Sequence, residues 1–297
     1  MQMRYEGRLY RPGPNERDSY LLQVTIGCSH NKCTFCDFYK DTRFRVRPFE
    51  ELEEDILMAR KAYKHVPSVF LTDGNVACLS MDKLRPIMQK IKEVFPESKH
   101  TNMFATYNDI HRKTLDELKE MKELGLETLV LGLESGSDII LQDVKKDLTS
   151  VQVKDAADKL REAGIILGTG AILGLGGVAD SDEHIRGTIE TLNAIQPQQI
   201  GLTILNLQPL SPLTADVDSG KWELPTYGQI FKEELEILKG LELTGPTPIL
   251  SGVLMPNHHI LSGTYPQDKA RMVFEAEQRF VLYKEILDTP IKMGGSM

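Results

Sequence analysis

Apolar and polar residues follow two different periods along this chain. Short runs that are apolar on consecutive positions read as strands at residues 20–26 (YLLQVTI), 68–71 (SVFL), 102–106, 127–131 (ETLVL), 165–173 and 199–205 (QIGLTIL). Between them, apolar residues recur at helical spacing over 49–62, 82–94, 114–124, 150–163 and 182–195. Glycine follows two of these helices, at Gly125 and Gly164, where a left-handed residue ends a helix readily. Glu50, Glu51, Glu53, Glu54 and Asp55 crowd the start of the helix at 49–62, where the helix dipole favours negative charge.

Strands alternating with helices of this length predict right-handed βαβ units and a parallel sheet. The continuously apolar strands are those expected of a sheet covered on both faces. Six such units, rather than eight, predict an α/β fold: a partial (βα)6 TIM-like barrel, open on one side. The pattern changes after Pro209. Residues 208–221 read as a loop, 227–241 and 267–287 as long amphipathic helices, and 244–265, rich in Pro and Gly, as irregular chain. The expected organisation is an N-terminal extension at 1–17, the barrel at 18–209, and a C-terminal helical and irregular extension at 210–297 that covers the barrel.

Composition narrows the class. The chain has 297 residues, is 41% hydrophobic and 26% charged, and carries a net charge of −8. That is the profile of an ordinary globular protein, not of a fibrous, disordered or disulfide-stapled one. No stretch reaches the roughly 18 uninterrupted apolar residues of a membrane helix. The first twenty residues lack the apolar segment of a secretory signal, so a cytoplasmic protein without a membrane partner is expected. The acidic balance argues against a nucleic-acid partner.

The chemically distinctive residues all fall just after strands, the edge at which βα barrels gather their active sites. The densest group is Cys28, Cys33 and Cys36, spaced C-x4-C-x2-C behind the first strand; Cys78 stands apart. Disulfide cysteines are dispersed, so this cluster reads as a metal site in a reducing compartment. A zinc site needs a fourth ligand, and His30 sits awkwardly between the first two cysteines. Three thiolates on one short loop suit a [4Fe–4S] cluster with one open iron.

These cysteines, placed after the first strand of a sixfold βα pattern, resemble those of the radical SAM superfamily, and the resemblance covers about residues 18–212. The aromatic before the last cysteine is kept as Phe35, while the first spacing is one residue longer than the usual C-x3-C. Thr72-Asp73-Gly74-Asn75 resembles the family's Gly-Gly-Glu turn, with Asp73 in place of the first glycine. Residues 170–177 (GAILGLGG) resemble its G-x-I-x-G-x-x-E pattern, with Gly177 in place of the acid. Gly132-Leu133-Glu134-Ser135-Gly136 is most similar to the branch that holds the oxygen-independent coproporphyrinogen oxidases and methylthiotransferases.

The resemblance implies two cofactors, a [4Fe–4S] cluster on the three cysteines and S-adenosylmethionine, and an electron donor of flavodoxin or ferredoxin type. The expected reaction is reductive cleavage of S-adenosylmethionine to a 5′-deoxyadenosyl radical, which abstracts hydrogen from a small-molecule substrate. It further implies that Phe35, Gly74, Asn75, Glu134, Ser135, Lys146, Ile172 and Gly174 bind cofactor, with Ile172 against the adenine and Lys146 (or its neighbour Lys145) at the methionyl carboxylate.

Plainer readings stand beside these: a simple turn at 74–75, a strand-to-helix loop at 174–177, a surface carboxylate at Glu134 and a solvated lysine at 146. Tyr107, Cys78 and His258 are the catalytic candidates; Asn108 and Asn206 also follow strands, and His259 adjoins His258. Asp73 and Gly177 motivate a rival hypothesis, a cluster- or zinc-bearing binding or electron-transfer protein that has lost this chemistry. The chain looks short for a coproporphyrinogen oxidase, and no cysteine follows Cys78 to hold a second cluster.

Overall fold

A computed structural model describes residues 4–9, 12–13, 16–253 and 260–292. Its strands are β1 (Tyr20–Gln23), β2 (Thr25–Ile26), β3 (Arg45–Val46), β4 (Val69–Thr72), β5 (Thr101–Ala105), β6 (Leu126–Glu134), β7 (Ile166–Leu173), β8 (Gln199–Ile204), β9 (Thr247–Val253) and β10 (Leu261–Tyr265). Its helices are α1 (Phe49–Ala62), α2 (Met81–Val94), α3 (Tyr107–Arg112), α4 (Leu115–Glu123), α5 (Asp138–Asp143), α6 (Ser150–Glu162), α7 (Ser181–Ile195), α8 (Pro212–Asp218), α9 (Tyr227–Gly240) and α10 (Lys269–Leu282). Eight strands form one sheet in the order β1-β4-β5-β6-β7-β8-β9-β10, and β2 and β3 form a separate ribbon. The six expected strands are its first six in sequence order, so the α/β reading and the barrel-type βα succession hold.

The chain divides into two compact units. The first comprises Met1–Asn31, Phe38–Leu131 and Asp158–Leu167. Here β1 pairs in parallel with β4, β4 with β5 and β5 with β6. Tyr20 lies opposite Val69, and Val69 opposite Thr101. Leu52, Ile56 and Ala59 on α1 and Leu84 on α2 are fully buried, the apolar faces that their spacing predicts. Arg47, itself buried, ties this unit down through an ion pair to Asp55 at 2.7 Å and a bond to the Gln23 carbonyl. The run at 20–26 is split: β1 ends at Gln23, and Thr25–Ile26 turns away to pair antiparallel with β3.

The second unit comprises Lys32–Asp37, Gly132–Ala157 and Gly168–Met297. Here β7 and β8 are parallel, β9 continues parallel to β8, and β10 returns antiparallel to β9. Within 244–265, Thr247–Val253 and Leu261–Tyr265 are therefore strands, not irregular chain. Pro248 carries no amide hydrogen, and Gly252 sits at φ +78° where the register against β8 slips by one residue. Such a bulge lets a strand carry the Gly and Pro that disguise it in sequence. The loop read at 208–221 contains α8, opened by Pro212 in its first turn. The long helix expected to 287 ends at Leu282 and gives way to a short 3-10 turn. No helix among the described residues is long and apolar enough to cross a membrane.

Candidate active site

Cys28, Cys33 and Cys36 lie on the chain between β2 and β3, which is neither helix nor strand. All three are half-exposed and lie outside any disulfide. Cys28 belongs to the first unit, and Cys33 and Cys36 to the second. Within the first unit the Cys28 segment rests on the turn after β4. A Cβ at Gly74 would lie 2.8 Å from the Tyr39 ring, 2.9 Å from Cys28 Cβ and 3.0 Å from the Gly27 carbonyl, so only glycine lets the two segments touch. Asp73, fully buried, accepts from the Tyr39 hydroxyl and from Gln23 Nε2. Asn31 donates to the Tyr39 carbonyl at 2.7 Å. Asp73 is thus more than a degenerate glycine: its carboxylate fastens the residues that flank the cysteine loop.

Asn75 is buried and donates to Ser29 Oγ at 2.7 Å and to Asp109 Oδ2 at 2.6 Å, while its carbonyl oxygen Oδ1 has no partner. A buried acceptor without a donor is costly, and a ligand's ammonium or hydroxyl would satisfy it. Cys78 donates its thiol to the Asn75 carbonyl at 3.1 Å, and burial pushes its pKa up to about 11, so it keeps its proton at neutral pH. Tyr107 is fully buried at the start of α3.

Within the second unit the 32–37 segment is held by its backbone. The Thr34 amide donates to Val144 O and the Leu213 amide to Thr34 O, both at 2.9 Å, and Ser211 Oγ donates to Phe35 O at 3.0 Å. Glu134 and Lys146, singled out separately in sequence, form one ion pair at 2.7 Å, with side chains 18% and 12% exposed. Lys146 is therefore not the freely solvated lysine of the plainer reading. Glu134 ends β6 with φ +66°, a strained conformation for a residue with a side chain. Ser135 is buried, and its hydroxyl accepts from the Ser137 amide and bonds His184 Nδ1 at 2.9 Å. Ile172 is half-buried at the end of β7, followed by Gly174 at φ +89°. His258 and His259 fall outside the described residues.

The residue pattern did not point to His184, Glu233 or Trp222. Glu233 is fully buried on α9; its Oε2 accepts from the Gly174 amide at 2.6 Å and its Oε1 from Ser181 Oγ at 2.7 Å. His184 Nε2 stands 3.9 Å from Glu233 Oε2. Acids at 233 and 234 inside the apolar pattern of 227–241 were the available signal, because an acid on a buried helix face needs a partner. Burial pushes the Glu233 carboxyl up to about 7 and pulls His184 down to about 4.

A raised carboxyl favours folding while protonated. That contribution is complete below the ordinary 4.5 and is lost as pH rises through about 7. His184 works in the other direction: its contribution is complete above the ordinary 6.5 and is lost as pH falls through about 4. Lys232 and Asp182 are the other charges acting on Glu233, and they oppose one another. Glu233→Gln should therefore lose less thermal stability than the parent between pH 5 and pH 7.5. Circular-dichroism melts at the two pH values measure this; equal losses in both proteins would contradict it.

The donor set fits an iron–sulfur cluster: three cysteines outside any disulfide, an irregular loop held by its backbone, and a glycine cradle behind Cys28. Among the described residues, no three His, Cys, Asp or Glu side chains converge to chelate a single ion. The thiolates of a four-iron cluster each bind a different iron and need not converge on one point. The profile of the radical SAM superfamily matches residues 22–191, more than half the chain.

The chain belongs to the radical SAM superfamily. Radical SAM proteins of this kind are enzymes, with a [4Fe–4S] cluster and S-adenosylmethionine as their cofactors. The chain is 23% identical over 209 residues to the heme chaperone HemW of Bacillus subtilis (strain 168), covering 68% of this chain and 54% of that protein. It thus spans about half the length of the curated relative it matches. Two solved structures share the fold. The radical S-adenosylmethionine methyltransferase TsrM of Kitasatospora setae, solved with cobalamin and a [4Fe–4S] cluster, superposes with a TM-score of 0.55 at 15% identity, over 68% of this chain and 39% of that one. The coproporphyrinogen III oxidase HemN of Escherichia coli superposes with a TM-score of 0.52 at 14% identity, over 89% and 52%. These likenesses are consistent with the expected resemblance to the coproporphyrinogen oxidase-like branch.

Proposed function

We propose that this radical SAM protein cleaves S-adenosylmethionine reductively and abstracts hydrogen from a small-molecule substrate. The observation that carries this reading is the Cys28, Cys33 and Cys36 loop, lying inside the matched region and directly behind β1 and β2. In this reading the three thiolates hold the cluster. When bound, the two cofactors together supply a hydrogen-abstracting radical, and the protein's work is to hold, orient and shield. Asn75 Oδ1, buried and without a hydrogen-bond donor, would accept a hydrogen bond from the methionyl ammonium. Lys146 meets the methionyl carboxylate while Glu134 keeps it aimed. Ile172 and Phe35 offer apolar surface, and Gly174, at φ +89°, turns the chain at the end of β7. Cys78, a protonated thiol, is the hydrogen-donor candidate.

The test is anaerobic reconstitution with iron and sulfide, addition of S-adenosylmethionine and dithionite, and quantification of 5′-deoxyadenosine by mass. Its formation is expected; a loaded cluster with no product, with or without cell extract as a substrate source, would refute the reading. Lys146→Ala should weaken S-adenosylmethionine binding by about tenfold, the loss expected for one charge-assisted contact. It strands Glu134, so Lys146→Arg should restore part of that affinity. Equilibrium dialysis with labelled S-adenosylmethionine reads both. A second reading, a tetrapyrrole carrier, has in its favour the similarity to a heme chaperone. Stoichiometric heme uptake seen in the Soret band, without 5′-deoxyadenosine, would favour it.

A further inference from the structure

At position 177 the chain breaks the G-x-I-x-G-x-x-E pattern, and the structure contains a physical reason. Gly177 has φ +62°, and a Cβ there would lie 2.8 Å from the Trp222 ring and 3.0 Å from the Glu223 carbonyl. No acid fits that space. The Gly174 amide, three residues earlier in the same turn, is instead met by a carboxylate from far along the chain.

We propose that Glu233, carried on α9, is a positioning residue that locks the turn after β7 in its ligand-receiving shape. This rests on the reading above that Ile172 and Gly174 receive the cofactor.

Four observations support it. Glu233 spans two parts of the turn, with one oxygen on the Gly174 amide and the other on Ser181 Oγ at the first residue of α7. A carboxylate fully removed from water is expensive unless its lone pairs are used, and here both oxygens have donors. Gly174 has φ +89°, which strains any side chain, and a Cβ there would press on Ile230 Cδ1 of the same helix at 2.7 Å, so α9 and the turn are packed closely together. Val178, next in the turn, donates its amide to Glu223 O, a third tie to residues beyond 209. The C-terminal region thus supplies a part that the barrel's own sequence lacks. His184 lies beside the tie: its Nε2 stands 3.9 Å from Glu233 Oε2, beyond hydrogen-bond reach, and its Nδ1 bonds Ser135, just after β6.

The experiment uses reconstituted holoprotein and three variants: Glu233→Ala, Glu233→Gln and Ser181→Ala. Glutamine can accept from the Gly174 amide through its oxygen and donate to Ser181 Oγ through its nitrogen, so it preserves the tie. Glu233→Ala should raise the dissociation constant for labelled S-adenosylmethionine about tenfold or more, and the KM with it, while kcat at saturation stays within about threefold. Glu233→Gln should recover most of the affinity, and Ser181→Ala should fall between. The only tryptophan of the chain, Trp222, packs on this turn, so its emission provides a readout independent of turnover. In Glu233→Ala its maximum should shift while the far-ultraviolet spectrum stays native; in Glu233→Gln it should not. If Glu233→Ala binds like the parent with unshifted emission, or loses kcat and affinity together with its iron, the inference is wrong and the cofactor reading survives. If the parent itself binds no S-adenosylmethionine, both fall.

Discussion

Replacing any one of Cys28, Cys33 or Cys36 by alanine should abolish 5′-deoxyadenosine formation, a fall of a hundredfold or more. It should also reduce bound iron well below the roughly four per chain of a [4Fe–4S] centre. The reason is the donor count. The loop offers three cysteines, and the remaining cysteine is engaged elsewhere: Cys78 donates to the Asn75 carbonyl and is held protonated by burial. A protonated thiol is a poor metal ligand. Cys78→Ala should therefore keep its iron, whatever it does to turnover. Anaerobic iron and sulfide analysis with product mass measurement separates the outcomes. Equal iron loss in Cys78→Ala would make it a fourth ligand and refute the open-iron reading. Full iron retention in any of the other three would remove that residue from the ligand set.

Gly136→Ala is expected to have the largest effect on stability. An added Cβ would stand 2.0 Å from the Gly187 carbonyl oxygen and 2.7 Å from Thr188 Cα. These are backbone atoms of α7 and cannot rotate aside. Overpacking against flexible side chains typically costs about 1–3 kcal/mol, so a backbone collision should cost about 3 kcal/mol or more. The contact is made from both sides: a Cβ on Gly187 would meet the Ser137 amide nitrogen at 2.8 Å. The Gly136 amide and carbonyl are also used, by Thr188 and Thr191. Displacing this turn moves Ser135 from His184 and disturbs Glu134, so binding should fail along with stability. Gly125→Ala is the control. It meets nothing within 4 Å and is strained only by its φ of +101°, so about 1 kcal/mol is expected. Urea titration followed by circular dichroism measures both; equal midpoints for the two variants would refute the argument.

Much of this protein was legible in its residues. The apolar runs near 69–72 and 199–204 read correctly as strands because strands covered on both faces need no polar alternation. Helix α1 was legible to the residue, since its acidic start and apolar stripe agree. The β9–β10 pair was not, because Pro248 and Gly252 carry the local signature of a loop and only pairing to β8 makes them strand. The short helices α3, α5 and α8 were missed because six or seven residues give too little periodicity.

The site divides in the same way. Cysteine identity and spacing are chemical and local, so the sequence by itself marked the three-cysteine loop and, through it, the family. The Glu134–Lys146 pair was half legible: each residue was marked, but their contact depends on how the chain turns after β6. Asp73 and Gly177 looked like losses. In the folded chain Asp73 holds Tyr39, and Gly177 makes way for Trp222. Glu233 lies 59 residues from the Gly174 amide it binds, beyond any local pattern. Only the tertiary structure could pair them, because a buried carboxylate is decided by the donors that surround it and not by its neighbours in the chain.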